Sequence, residues 1–229
     1  KCTVLDALCQ AIESYWSVKS TEESRGYAKE AINLILRNID SYIAEKDVVY
    51  ARIIKAANLA GRAIDITQTT AAHAMSYKLT SLYGIPHGFA VAVCLPFVWE
   101  MFLTNIDQCI DQRGESYLLS IMRDLQELFG TDSLEHTIMM FRAILARMEI
   151  NLNNYQLADN LDVLAQSVNI QRLGNFPIHL SEQNLREIYQ KAFEKEDIFK
   201  PEYEMILEIA SNFRSLDKKK YKIQKKILA

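Results

Sequence analysis

Residues 71–103 read AAHAMSYKLTSLYGIPHGFAVAVCLPFVWEMFL. The opening AAHAMSYKLTSLYG has the pattern of a helix, with Gly84 placed to close it as a C-terminal cap. Pro86 biases Ile85 away from helix, and the apolar run that follows Gly88 restarts one. That run is long and lacks turn residues, so it is expected to be a buried core helix, bent at Pro96. Helix, sharp turn, helix is the local plan, and the same plan repeats on both sides.

Towards the N-terminus, Leu5, Leu8, Cys9, Ile12 and Trp16 form one helical stripe. Ser20 with Glu23 suggests a capping box for a second helix, whose stripe runs Tyr27, Ala31, Leu34, Ile35 and Ile39. A third carries Val49, Ile53, Ala56, Ala57 and Ala60, small enough at Ala56, Ala60 and Gly61 for close helix packing. A Thr-rich polar segment, 64–70, leads into the helix that holds His73. Later helices are expected at about 115–129, 133–149, 156–168, 182–195 and 201–214. Asp132 or Ser133, and Ser181, are the N-cap candidates, and Pro201 suits a first turn. No strand with alternating polarity and no internal repeat is visible. The fold class is therefore all-α: one multi-helix domain over 1–214, followed by a Lys-rich tail at 215–229.

Composition narrows the function. The 229 residues are 49% hydrophobic and 24% charged, with a formal net charge of −3. Twenty-six basic residues against 29 acidic ones leave no cationic excess for nucleic acid. No uninterrupted apolar run reaches the roughly 18–20 residues of a membrane span, so no membrane partner is expected. Seven glycines are less than half the usual share of roughly 7%, too few for a glycine-rich phosphate cradle. Cys2, Cys9, Cys94 and Cys109 are scattered with no paired spacing, which fits a reduced, cytoplasmic compartment. Cys94 and Cys109 read as buried small hydrophobes, and Trp16 and Trp99 as core or interface anchors.

Only four histidines are present. His136 and His179 lack a partner pattern and read as surface or capping residues. His73 and His87, fourteen positions apart, flank the Gly-Ile-Pro turn, which can bring both imidazoles to one point. Asp6 lies on the otherwise apolar face of the first helix, where an unpaired carboxylate is costly. It needs either a cation or an N-cap role. Gln10, one turn on, shares its face, and its amide oxygen is offered as a further ligand at the same point.

DALCQAIES (6–14) and HAMSYKLTSLYGIPHG (73–88) together resemble two motifs of the iron-containing alcohol dehydrogenases, whose fold also includes glycerol dehydrogenase and dehydroquinate synthase. The resemblance implies metal ligands at Asp6, His73 and His87. Gln10 stands where iron-type members use a fourth ligand, a His. The arrangement is thereby more similar to the glycerol dehydrogenase branch, with its zinc on one Asp and two His, and the implied metal is Fe²⁺ or Zn²⁺. Tyr77 occupies the place of a non-ligating His that faces the nicotinamide, so any proton relay there falls to Tyr77 or water. The implied reaction is hydride transfer between NAD(P)(H) and a small alcohol or aldehyde, with the metal as Lewis acid. The wider run 57–88 also resembles phosphonoacetaldehyde reductases. A homo-oligomer is implied as well. Family members carry an N-terminal α/β half that binds the dinucleotide, and this chain is expected to be a C-terminal fragment or truncated product, inactive alone. The rival expectation is a helical scaffold or interaction module without metal.

Overall fold

The computed structural model describes residues 1–148, 150 and 160–193. Helix α1 (Cys2–Trp16) is the hub. It packs against α2 (Glu22–Ile43), α3 (Tyr50–Thr67), α5 (His87–Thr104) and α6 (Glu115–Phe129). Helix α4 (Ala71–Tyr83) lies on α5, and α7 (Leu134–Arg147) covers another side of α5. The short helices α8 (Leu161–Gln166) and α9 (Ile170–Leu173) dock on α4, and α10 (Glu182–Phe193) packs on α5 and α8. Among the described residues there is no named strand, only an isolated antiparallel bridge between Cys109 and Ile178. The expected all-α architecture holds. The expected helix at 201–214, Pro201 and the Lys-rich tail lie outside the described residues.

Local signals explain most boundaries. Gly84 and Gly130 adopt left-handed conformations (φ 70° and 67°) and end α4 and α6 as C-caps. Ser133, rather than Asp132, caps α7 by accepting a bond from the His136 amide. Ser181 accepts from the Asn184 amide at the start of α10. The capping box of α2 sits one residue later than the sequence suggested. Thr21 has the extended backbone an N-cap needs and exchanges hydrogen bonds with Ser24. Ser20 instead turns inward and accepts from the Arg113 guanidinium. The polar segment after Ile64 also departs from a simple lead-in. Helix α3 runs on to Thr67, whose buried hydroxyl bonds to Ser14 on α1. Cys94 is fully buried as expected, whereas Cys109 is only half-buried.

Aromatic rings join the layers. Trp16 meets Trp99 edge-on at 5.4 Å between centroids, and Trp99 meets Phe129 of α6 and Phe141 of α7 at 5.6 and 6.2 Å. Both tryptophans are thus core anchors. Helix α5 continues through Pro96 without a break. By length and composition alone it could cross a membrane, with a mean hydropathy of 1.5 over 18 residues. Seventy-two per cent of that window is buried by the rest of the protein, which makes α5 the core helix of the bundle.

Helices α1 and α5 come closest at Gly88. A Cβ there would lie 2.3 Å from the Cys2 carbonyl oxygen and 3.0 Å from Asp6 Cβ. Only a residue without a side chain permits this approach, which sets His87 beside Asp6. Gly88→Ala should therefore overpack the contact and destabilise the protein by about 1–3 kcal/mol. Gly26→Ala, where an added Cβ meets nothing within 4 Å, should instead stabilise exposed helix by up to ~1 kcal/mol. Thermal melts of the two variants against the parent chain check the opposite signs.

Candidate metal centre

Helix α1 carries one polar stripe, Asp6, Gln10 and Glu13, on successive turns of an otherwise apolar surface. His73 stands in the first turn of α4, and His87 is the first residue of α5, beyond the turn made by Gly84 and Pro86. The fold brings these chains together. His73 Nε2 is 3.4 Å and His87 Nε2 3.6 Å from Asp6 Oδ1, and the three potential ligand atoms lie within 4.8 Å of one another. Asp6 is well inside α1, so its N-cap alternative falls away.

Metal–ligand bonds of about 2.0–2.2 Å in a tetrahedral shell separate neighbouring donors by roughly 3.3–3.6 Å. The two distances to Asp6 match that spacing. Moreover, Asp6 Oδ1 and His73 Nε2 are both buried and have no hydrogen-bond partner. Two buried polar atoms turned to a common point without a hydrogen bond are costly unless a cation, a proton or a metal ion, lies between them. The residues present therefore fit a divalent metal.

The surrounding hydrogen bonds set the protonation of each donor. Fully buried Glu13 accepts from Thr70 Oγ1 at 2.7 Å and the Ala72 amide at 2.8 Å, and its other oxygen pairs with His73 Nδ1. Trp16 Nε1 donates to the same Thr70 hydroxyl at 3.0 Å. With Nδ1 held as the donor, His73 turns Nε2 to the point it shares with Asp6, and the deprotonated ring offers a lone pair there. On the other ring, Ser76 Oγ spends its proton on the His73 carbonyl (2.8 Å) and so accepts from His87 Nδ1 (3.3 Å). His87 Nε2 is then also a lone pair turned to Asp6. Gln10 Nε2 donates to Asp6 Oδ2 at 3.0 Å. Its amide nitrogen, rather than the oxygen that the sequence reading offered as a ligand, is the atom bonded to the carboxylate. Tyr77 stacks on His87, with centroids 5.8 Å apart and planes inclined by 20°.

Burial pushes His73 towards the neutral form, but the Glu13 charge, its hydrogen bond to the ring and the nearby Asp6 carboxylate override this and hold the pKa up to about 9. Burial lowers His87, an effect that Asp6 opposes. Glu13 is the functional residue the sequence reading missed. It lay in the quoted motif two turns from Asp6, and that spacing was the available signal. His136 pairs at the surface with Asp132, and His179 is exposed; neither joins the cluster.

A helical bundle that turns one carboxylate and two imidazoles to a shared point is, by class, a protein with a candidate divalent-metal site. This one belongs to the iron-containing alcohol dehydrogenases: a family model described as "Fe-containing alcohol dehydrogenase family, C-terminal" matches residues 2–193. The chain is 29% identical over 199 residues to a phosphonoacetaldehyde reductase of Streptomyces viridochromogenes, covering 85% of this chain and 50% of that protein. An iron-containing alcohol dehydrogenase structure from Thermotoga maritima aligns with TM-score 0.65 at 28% identity, over 84% of this chain and 48% of that one. A sulfoacetaldehyde reductase from Bifidobacterium kashiwanohense, solved with NAD⁺, shares the fold at TM-score 0.71 and 23% identity, over 85% and 50% of the two chains. The chain thus spans about half the length of such relatives.

Two outcomes follow from the hydrogen bonds. Glu13→Gln should weaken metal binding about 10–100-fold, the usual effect of removing a carboxylate behind a ligating His. Chelator competition measures it. His73 in the metal-free site keeps an extra proton below about pH 9, and a metal must displace it. Affinity should accordingly rise ~10-fold per pH unit between pH 7 and 8 and level off above the His73 pKa. The same competition run at several pH values tests the slope.

Proposed function

We propose that this chain is the metal-binding half of an NAD(P)(H)-dependent dehydrogenase acting on a small alcohol or aldehyde. The observation that carries the reading is the pair of buried, unpartnered atoms, Asp6 Oδ1 and His73 Nε2, with His87 Nε2 beside them. In this reading Asp6, His73 and His87 hold a divalent Fe²⁺ or Zn²⁺. Three protein donors leave a position for substrate. When bound, the metal supplies Lewis-acid polarisation of the substrate oxygen, and the nicotinamide supplies the hydride.

The chain's own residues do the positioning. Glu13 and Ser76 fix the two imidazole tautomers, and Gln10 steadies Asp6. His73 is nearly sealed at 3% side-chain exposure, whereas Asp6 at 24% and His87 at 37% open the cluster on one side. Substrate would enter there, past Tyr77, which is 40% exposed. Tyr77 is the side chain placed to pass a proton to water at that edge. Likeness to a phosphonoacetaldehyde reductase supports a small aldehyde as the substrate class.

Metal analysis of the purified chain against His87→Ala tests the reading. About one Fe²⁺ or Zn²⁺ per chain is expected for the parent and a large loss for the variant. His87 is half-exposed, so its removal should leave the fold intact by circular dichroism. Equal metal content in the two proteins would reject the assigned ligands. No metal in the parent at all would favour the metal-free helical scaffold, a reading that the Gln10–Asp6 bond otherwise suits.

A further inference from the structure

Beside the metal cluster stands a cation that the ligand set does not use. Arg172 is exposed on α9, in a segment fixed to the corner between α3 and α4. Buried Asn175 makes that attachment: its side chain donates to the Thr69 carbonyl at 3.1 Å, and its own carbonyl accepts from the Val18 amide at 3.0 Å. The Arg172 guanidinium donates to Thr69 Oγ1 at 3.3 Å, and its Cζ lies 4.9 Å from the centre of the Tyr77 ring. Tyr77 in turn stacks on His87. Arginine, phenol and imidazole thus run in sequence from the protein surface to the open edge of the cluster.

Among the described residues no carboxylate pairs with Arg172. A guanidinium has five N–H donors in a rigid fork, and this one spends a single donor on a hydroxyl. Elsewhere Arg113, Arg142, Arg147 and Arg186 meet carboxylates, while Arg25, Arg52 and Arg62 donate to hydroxyl or amide oxygens away from the cluster; what sets Arg172 apart is its place beside Tyr77 and His87. A neutral alcohol needs no fixed cation beside it, whereas a substrate bearing an oxyanion does. The planar fork suits two parallel bonds to such a group.

We infer that Arg172 is a specificity-determining residue that binds an oxyanion (phosphonate, sulfonate or carboxylate) carried by the aldehyde substrate. Thr69 and the Tyr77 ring hold the guanidinium in place, and the carbonyl end of the same molecule points to the cluster. The inference deepens the metal-dehydrogenase reading and rests on it for the position of the carbonyl, but the anion contact belongs to Arg172 itself.

The test is titration of the full chain with methylphosphonate, methanesulfonate and acetate, followed by phosphorus or proton nuclear magnetic resonance. It uses zinc-loaded and metal-free protein, with Arg172→Gln and Arg172→Lys beside the parent. Dimethyl methylphosphonate, the uncharged ester, is the control. Saturable binding of at least one anion is expected for the parent, weakened about 10-fold or more in Arg172→Gln, with partial retention in Arg172→Lys. The ester should not bind, and melting curves should be unchanged because Arg172 is at the surface. The anion that binds most tightly identifies the head group. Equal binding by parent and Arg172→Gln would show that metal alone holds the anion, and would overturn the inference. So would a lack of binding by the zinc-loaded parent. Should the chain take up no zinc, the metal reading fails separately, and the metal-free titration decides Arg172: dependence on the guanidinium sustains its role, and independence ends it.

Discussion

The Glu13 carboxylate is wholly removed from water, and stripping an ionised group of its hydration costs several kcal/mol unless protein groups replace it. Three donors do so here: a hydroxyl, a helix-terminal amide and an imidazole. The amide of Ala72 is one of those a helix start leaves unsatisfied, so the same bond completes α4 and stabilises the anion. Because Glu13 is on α1 and its donors are all on or beside α4, the carboxylate also joins the two helices. His73 cannot rotate without depriving that buried charge of one of its three partners. The orientation of His73 Nε2 towards Asp6 is thus a consequence of core electrostatics, settled well away from solvent.

A second constraint acts at the other end of the site. The left-handed Gly84 turns the chain out of α4, and Pro86 opens α5, so His87 emerges at a helix start with its side chain directed to α1. The bare backbone at Gly88 then lets the two helices touch. One polar stripe on α1 therefore meets two histidines from different directions. The connection between α3 and α4 is strained: Gln68 has φ 59° and ψ 173°, a conformation that costs a non-glycine residue about 1–3 kcal/mol. Its side chain is bonded to Lys19 and Asn175, and the sharp exit it produces delivers Thr69 and Thr70 to Arg172 and Glu13.

Helix positions and the convergence of Asp6, His73 and His87 were legible in the sequence because each has a local signature. The stripe through Leu5, Leu8 and Ile12, the glycine caps and the Pro-His-Gly opening all act within a few residues. The environment of Glu13 was not legible, since its donors lie 57 to 60 positions away. Gln10 was misread for a related reason. Sequence spacing puts it on the face of Asp6, but only the fold shows that the carboxylate requires a donor and so attracts the amide nitrogen. Arg172 lay in a short helix with no strong periodicity, 95 positions from the ring it covers. The α2 cap slipped by one residue because Ser20 and Thr21 are both hydroxyl residues; the pull of Arg113 on Ser20 decides between them.

Burial across the cluster is graded, and the gradient has a chemical meaning. His73, tied to a buried anion, is a poor candidate for exchange with solvent. His87, at the rim with a serine and a stacked tyrosine beside it and no buried carboxylate behind it among the described residues, is where reorganisation costs least. In the proposed reading, such a site would retain its ion through the buried side and admit ligands through the exposed one. Tyr77 and Arg172 occupy the exposed side and make little contribution to the core. In the proposed reading they are the residues at which substrate preference can change while Asp6, His73, His87 and the helices behind them stay the same, so selectivity and metal retention would rest on separate side chains.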